Sequence, residues 1–410
     1  MSVDEVRRNE APAPTMRPAD PTAERLLGFA SARQPAFLEA LAELVAIDSG
    51  TDSPDGVNRM ADRWGALLAD EGWQVAREPT EAVAGRRFGD VVIARRRGSG
   101  GRRVLLLGHL DTVFPDGTAQ ARPLRIAEGR AYGPGVTDMK GGLLAGLHAA
   151  GILADAHAET FSELVFLCNP DEERGSAASR TFLIAEAERA DAVLVLEAAR
   201  ENGDVVSSRK GVTTARIEIT GRAAHAGVEP DRGRSAIVEA AHTIEALHAL
   251  NGRWEGATVN VGVVQAGTRS NVVPEHAALD LDVRATTEAA LAAVEAEVER
   301  IGSTCVLDGV TSKVDLFKEA RPMERTPGTA RLVEAAREVA HRLGVDLDDA
   351  ATGGASDANT ASALGVPTLD GLGPIGGDDH SDREWLDVAS IVPRTALLAG
   401  LVARVGRSDA

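Results

Sequence analysis

Apolar residues fall along this chain in two alternating rhythms. Leu38, Leu41, Leu44 and Val45 recur at helical spacing within Ala36 to Ile47, and Trp64, Leu67 and Leu68 do the same within Ala61 to Glu71, which predicts two helices covering a sheet. Asp90-Val91-Val92-Ile93-Ala94 and Arg103-Val104-Leu105-Leu106-Leu107-Gly108 are strand-like, and the second is apolar throughout its middle, as a strand buried on both faces should be. An Ala/Leu-rich helix running to about Asp155, a strand over 163–169, a helix over 176–189 and a strand from Ala192 to Leu196 continue the series. Buried strands alternating with helices predict an α/β fold with a mixed sheet and helices on both faces, whose ligands gather beyond strand ends.

From about Gly211 the rhythm changes. Thr213 to Thr220 alternates like a half-buried strand, a helix follows from Ser235 to Leu250, and strands follow at Thr258 to Val264 and Ala277 to Arg284. Glu288 to Ile301 places Leu291, Val294, Val298 and Ile301 on one helical face, and Ser312 to Phe317 closes the set. The order β-α-β-β-α-β is that of a ferredoxin-like α+β unit, expected as an inserted domain over 211–320. After Arg321-Pro322 the first rhythm resumes, with helices from Ala330 to Leu343 and Asp357 to Leu364, a strand from Val366 to Leu369 and a last helix from Val388 to Val405. The main domain is therefore expected over 23–210 and 321–410. Residues 1–22 carry four prolines and no apolar core, and read as a mobile arm.

A length of 410 residues makes two domains the natural expectation. A net charge of -18 argues against nucleic acid or an anionic membrane as partner. With two cysteines, Cys168 and Cys305, neither a disulfide framework nor a cysteine metal site is suggested. The absence of a signal-type apolar segment near the start and of a long apolar span later leads to the expectation of a cytoplasmic protein.

The apolar run Leu164 to Cys168 leads through Asn169-Pro170 into Asp171-Glu172-Glu173. Like charges side by side repel, and they persist where a cation, a proton-handling role or full solvation compensates. The bland alternative is a solvated acidic turn before a helix starting at Ser176. His109 and Glu197 also stand at the ends of buried strands, and that shared position favours a site. Gly133-Pro134-Gly135-Val136-Thr137-Asp138-Met139-Lys140-Gly141-Gly142 resembles a phosphate loop only superficially, because the Walker spacing is absent and an acid sits where an anion would bind. Five candidate ligands result: His109, Asp138, Glu173, Glu197 and His380. Two imidazoles and three carboxylates suit zinc or a related divalent ion, and Asp138 is the candidate bridge between two ions. Asp111 could hydrogen-bond the second nitrogen of His109 and fix its tautomer. Glu172 would be the base that takes a proton from water.

These segments together resemble the di-zinc metallopeptidase family that contains bacterial glutamate carboxypeptidase, aminoacylase, acetylornithine deacetylase and succinyl-diaminopimelate desuccinylase. The resemblance rests on Gly108-His109-Leu110-Asp111-Thr112-Val113, the glycine-rich segment through Gly142, Asp171-Glu172-Glu173-Arg174-Gly175-Ser176, Glu197 and His380-Ser381-Asp382. It implies two Zn2+ per chain, with Co2+ or Mn2+ as substitutes. His109 and Glu197 would hold one ion, Glu173 and His380 the other, and Asp138 both, with a cis peptide after Asp138. The inserted unit resembles the family's lid and dimerisation domain, which implies a homodimer through 211–320. Within it, His225 resembles the histidine that reaches a neighbouring active site to stabilise an oxyanion, and Asn271 and Arg284 resemble residues that hold the substrate carboxylate or oxyanion. Gly353-Gly354-Ala355-Ser356-Asp357 resembles the substrate loop, with Gly354 carried over and Ser356 where Thr is common.

The expected activity is hydrolysis of an amide that links an acyl or peptidyl group to an amino acid with a free carboxylate, the substrate being an N-acyl amino acid or short peptide. Several family neighbours, particularly dipeptidases and aminopeptidases, use Asp at the Glu197 position, so Glu197 leans away from them. A biosynthetic deacylase and a catalytically silent, dimeric metal-binding protein are the alternatives. Retention of Glu172 beside every ligand argues against silence. His148, His157, His242, His248, His276 and His341 receive no role.

Overall fold

The computed structural model describes residues 22–407. The arm expected over 1–22 lies outside the described residues except for Thr22, whose hydroxyl accepts the amide of Arg25 at 3.3 Å and caps the helix Ala23–Val45. That helix starts earlier than the apolar spacing predicts, because only Leu26 and Ala30 are buried before Phe37. The next helix, Pro54–Asp70, likewise starts before the predicted Ala61, with Pro54 at its first position.

A six-stranded sheet forms the centre, in the order Gln74–Glu78, Val91–Arg97, Glu163–Asn169, Arg103–His109, Ala192–Val195, Thr368–Leu369. Val91–Arg97 is antiparallel to both neighbours and the remaining pairs are parallel, so the sheet is mixed, as expected. Its side chains divide by strict alternation. Val104, Leu106, Leu164, Phe166 and Leu194 face the helices Ala23–Val45, Pro54–Asp70, Gly141–Asp155, Pro327–Leu343 and Ile391–Val405. Leu105, Leu107, Val165, Leu167 and Val195 face Arg180–Ala187 and Asp357–Ala363. The edge strand Gln74–Glu78 escapes the apolar pattern because all five of its residues are exposed or half-buried. Among the described residues one stretch, Val388–Val405, is long and apolar enough to cross a membrane, and 72% of it is buried within the protein.

Residues 211–320 build a second sheet, antiparallel throughout, in the order Thr258–Ala266, His276–Ala285, Gly211–Thr220, Thr311–Ala320. The helices Ala236–His248 and Glu288–Ser303 pack on it around Ile217, Leu279, Leu281, Leu291 and Val298, in the ferredoxin-like arrangement. The chain leaves the larger body and returns to it at one point, where Arg209 and Met323 exchange main-chain hydrogen bonds of 3.0 Å in both directions.

Candidate metal centre

Three neighbouring parallel strands deliver the first side chains. His109 ends Arg103–His109 opposite Asn169, Glu172 and Glu173 lie in the single 3-10 turn beyond Asn169, and Glu197 follows Ala192–Val195 by two residues. Parallel strands in register end on one edge of a sheet, so all four side chains meet there. The helix predicted over 176–189 is shortened to Arg180–Ala187 by this turn and the bend after it, where Ser176 adopts a positive φ of 53°. Asp138 arrives from the loop before the helix Gly141–Asp155, and the peptide between Asp138 and Met139 is cis, as the resemblance implied. His380 arrives from a turn near the end of the chain with a positive φ of 60°.

Asp138 stands at the centre. One carboxylate oxygen lies 3.0 Å from His109 Nε2 and the other 3.0 Å from His380 Nε2. His109 Nε2 is also 3.8 Å from Glu197 Oε1, and His380 Nε2 is 3.2 Å from Glu173 Oε2. The five predicted ligands therefore form two imidazole–carboxylate pairs joined through one shared carboxylate. His109, Asp138 and Glu173 each offer a donor atom within 4.8 Å of the others.

The electrostatics of this cluster are those of a site short of positive charge. Burial first, and neighbouring acids after it, push the carboxyls of Glu172 and Glu197 well above the ordinary range, and burial raises Glu173 as well. Burial also opposes the Asp138 carboxylate, but hydrogen bonds from both imidazoles outweigh it and hold its pKa down. His380, hydrogen-bonded to Asp138 and Glu173, is raised to about 11. Nitrogen and oxygen donors packed at these separations, with too few cations among them, fit divalent metal ions in both hardness and charge.

Asp111 supports the cluster from below and is 1% exposed. Its Oδ1 accepts the Glu172 amide and its Oδ2 the Glu173 amide, each at 3.2 Å, while Thr51 donates to Oδ2 at 2.7 Å. His109 Nδ1 lies 3.0 Å from the main-chain oxygen of Asp111 and 3.3 Å from Oδ1. The main-chain carbonyl is thus the nearer partner of the imidazole, because the side chain is occupied with the 172–173 turn.

A cleft of about 500 Å³ opens over the cluster, lined by Asp138, Glu172, Glu173, Glu197, His380 and Gly354 among others. Gly354 turns its carbonyl to Arg209 at 3.1 Å. The cleft also contains Arg180, Arg200 and Arg209, which the sequence reading missed. Arg209 is held by the fully buried Asp370 at 2.7 Å. No local motif marks any of the three; only the fold brings them to the cleft wall. His225, Asn271 and Arg284 do not line it. His225 and Asn271 lie together on the ribbon formed by Ala224–His225 and Val272–Val273, with the Asn271 carbonyl accepting the Ala226 amide at 3.0 Å. Arg284 is engaged by Asp282 in two hydrogen bonds of 2.9 and 3.0 Å and donates to the Gly353 carbonyl at 2.7 Å.

The sequence profile of Peptidase family M20/M25/M40 matches residues 105–404. The chain is 31% identical over 387 residues to carboxypeptidase G2 of Pseudomonas sp. (strain RS-16), covering 93% of this chain and 92% of that one. It is 28% identical to a succinyl-diaminopimelate desuccinylase of Leptothrix cholodnii (strain ATCC 51168 / LMG 8142 / SP-6), over 87% of this chain and 95% of the other. The solved structure of aminopeptidase PepT from Bacillus cereus ATCC 10987 superposes with a TM-score of 0.81 at 24% identity, covering 91% and 99% of the two chains, and shows the same fold.

Proposed function

This chain belongs to peptidase family M20/M25/M40 and is a metal-dependent hydrolase, and from that premise we propose that it uses two divalent cations, zinc in the first instance, to cleave an amide joining an acyl or peptidyl group to an amino acid with a free carboxylate. The observation that carries this reading is Asp138, whose two oxygens each face a different imidazole. His109 and Glu197 would hold one ion, His380 and Glu173 the other, with Asp138 shared. Bound there, the ions would supply the positive charge that polarises a carbonyl and brings water's pKa near neutrality.

Glu172 handles the proton. It lines the cleft beside the cluster, and the hydrogen bonds that tie Asp138 and Glu173 to the imidazoles do not include it. Its carboxylate accepts a proton from the attacking water; as the carbon–nitrogen bond breaks, the same proton passes to the departing amine. The products are a carboxylate and a free amino acid. The Asp111 side chain holds this turn by its two amides.

The 211–320 unit completes the reading as lid and dimerisation element. His225 is exposed, lies outside the cleft of its own chain and accepts the Gly227 amide on Nδ1 at 3.1 Å, which leaves Nε2 as a donor toward a neighbouring chain's oxyanion. Arg284 and Asn271 would take the substrate carboxylate once the unit closes, Arg284 exchanging the Gly353 carbonyl for it.

Glu172→Gln tests the proposal. Turnover should fall below detection while metal content stays near two ions per chain; full activity would remove Glu172 from the proton step. A panel of N-acyl and N-aroyl amino acids, glutamate conjugates and dipeptides, read by released amine, separates this reading from a biosynthetic deacylase, the reading favoured by the likeness to the desuccinylase.

A further inference from the structure

Two buried charges flank the loop that carries Asp138. Glu384 is 1% exposed and Lys140 is 2% exposed, and they act on each other through charge without a direct ion pair among the described residues. Both spend their hydrogen bonds on main-chain groups. Glu384 Oε2 accepts the Gly135 amide at 2.8 Å, and Oε1 accepts those of Thr137 at 2.9 Å and Asp138 at 3.1 Å. Lys140 Nζ donates to the carbonyls of Pro134 and Ile47, each at 3.2 Å. Removing a carboxylate and an ammonium from water is expensive unless each is fully hydrogen-bonded, and a core could dispense with both. Here main-chain groups satisfy them: the amides of Gly135, Thr137 and Asp138 the anion, and the carbonyls of Pro134 and Ile47 the cation.

The position of Glu384 in the chain gives this arrangement its consequence. Four residues earlier stands His380, which meets one oxygen of Asp138, while Glu384 grips the Asp138 amide. One short segment therefore places an imidazole against the Asp138 carboxylate and also holds the main chain from which that carboxylate projects. The far oxygen can meet His109 only if the loop keeps this orientation. An uncharged side chain of similar size offers fewer acceptors: glutamine would turn an NH2 group toward at least one of the three amides that donate to Glu384.

We propose that Glu384 is a positioning residue whose carboxylate holds the 135–138 amides so that Asp138 can span two cations at once. The proposal rests on the reading that His109, Asp138, Glu173, Glu197 and His380 bind divalent ions. It is tested by titrating the metal-free, full-length protein and Glu384→Gln with Zn2+ against a chromogenic chelator, alongside the thermal unfolding of both metal-free forms. The unsubstituted chain should take up two ions. The variant should keep the tighter ion within a few fold and bind the weaker one roughly 10- to 100-fold less well, the range seen when a group orienting a ligand is lost. Two ions bound within twofold of the parent would overturn the proposal, even with a lowered unfolding temperature, since that is the signature of a purely structural residue. Failure of the unsubstituted chain to bind any Zn2+ would overturn the five-donor reading along with it. Should Glu384→Gln not fold, Glu384→Asp, whose arm is one methylene shorter and draws the acceptors back from the three amides, is read by the same titration against the same two outcomes.

Discussion

Glu172 and Glu173 are adjacent in the chain, yet among the described residues only Glu173 meets an imidazole, His380 at 3.2 Å, while beneath the turn Asp111 takes one amide on each oxygen. Residue by residue, the centre is built by backbone hydrogen bonds to buried acids as much as by the side chains that would meet metal. A buried group with no partner shows the contrasting case. His148 is 5% exposed, stacks on Phe37 at a ring distance of 5.5 Å, and neither ring nitrogen has a hydrogen bond among the described residues. Burial, aided by the charge of Arg33, lowers its pKa to about 4. In the unfolded chain the same ring titrates near 6.5. Between those values the unfolded chain binds more protons, so this group's contribution to stability is intact above pH 6.5 and is lost as pH falls toward 4. In His148→Leu, the stability lost between pH 7 and pH 4.5, read by urea unfolding in EDTA, should shrink by on the order of 2 kcal/mol relative to the parent. An unchanged slope would show that the ring does not titrate below its ordinary range.

The elements that matter most are three parallel strands and the helix Gly141–Asp155, which starts beside their ends and packs on one face of the sheet. Gly141 and Gly142 open that helix, and the structure explains them without a phosphate: a Cβ on Gly142 would run into the carbonyl oxygen of Leu196, one residue before Glu197. Gly108, one residue before His109, is similarly closed in by Leu143 and Met139. Close approach of helix to strand thus sets the separation between the Asp138 loop and two strand ends. Gly142→Ala should cost about 1–3 kcal/mol by thermal or urea unfolding, because the obstacle is main chain that has no rotamer to change. It should also weaken Zn2+ binding, measurable by the chelator titration, since the displaced helix carries the Asp138 loop with it. Equal stability and equal binding would mean that the helix start moves freely.

For the whole molecule, the unit over 211–320 raises the question of assembly. Ile237 and Val238 on its first helix and Val263 and Val264 on its outermost strand are 44%, 46%, 45% and 51% exposed. An edge strand carrying exposed valines is a ready site for a second copy. For the dimer proposed through this unit, Val264→Lys is expected to shift the mass in light scattering coupled to size exclusion from two chains to one, with the unfolding temperature nearly unchanged; a parent chain that is already monomeric, or a variant that stays dimeric, counts against this interface. In the proposed dimer, His225→Ala should lower turnover without loss of fold. Co-expressed with a Glu172→Gln chain, it should recover part of the lost rate, because one mixed cleft then has both groups intact. Recovery no better than the average of the two parents would confine His225 to its own chain.

From the order of residues alone it follows that the chain builds a mixed α/β body with a ferredoxin-like insertion, because side-chain alternation within a strand and spacing within a helix are local properties. It also follows that His109, the 172–173 pair and Glu197 share one edge, since each stands at or within a few residues of the end of a buried strand and parallel strands finish together. Tertiary structure alone decides which atoms meet. Asp138 and His380 are 242 positions apart, and nothing along the chain says that they would stand 3.0 Å from each other. The engagement of Arg284 by Asp282 and Gly353, the three arginines of the cleft and the grip of Glu384 on the Asp138 loop belong to the same class. Each depends on loops whose course is set by packing elsewhere, and a hydrogen bond tolerates only a few tenths of an ångström of error in that course.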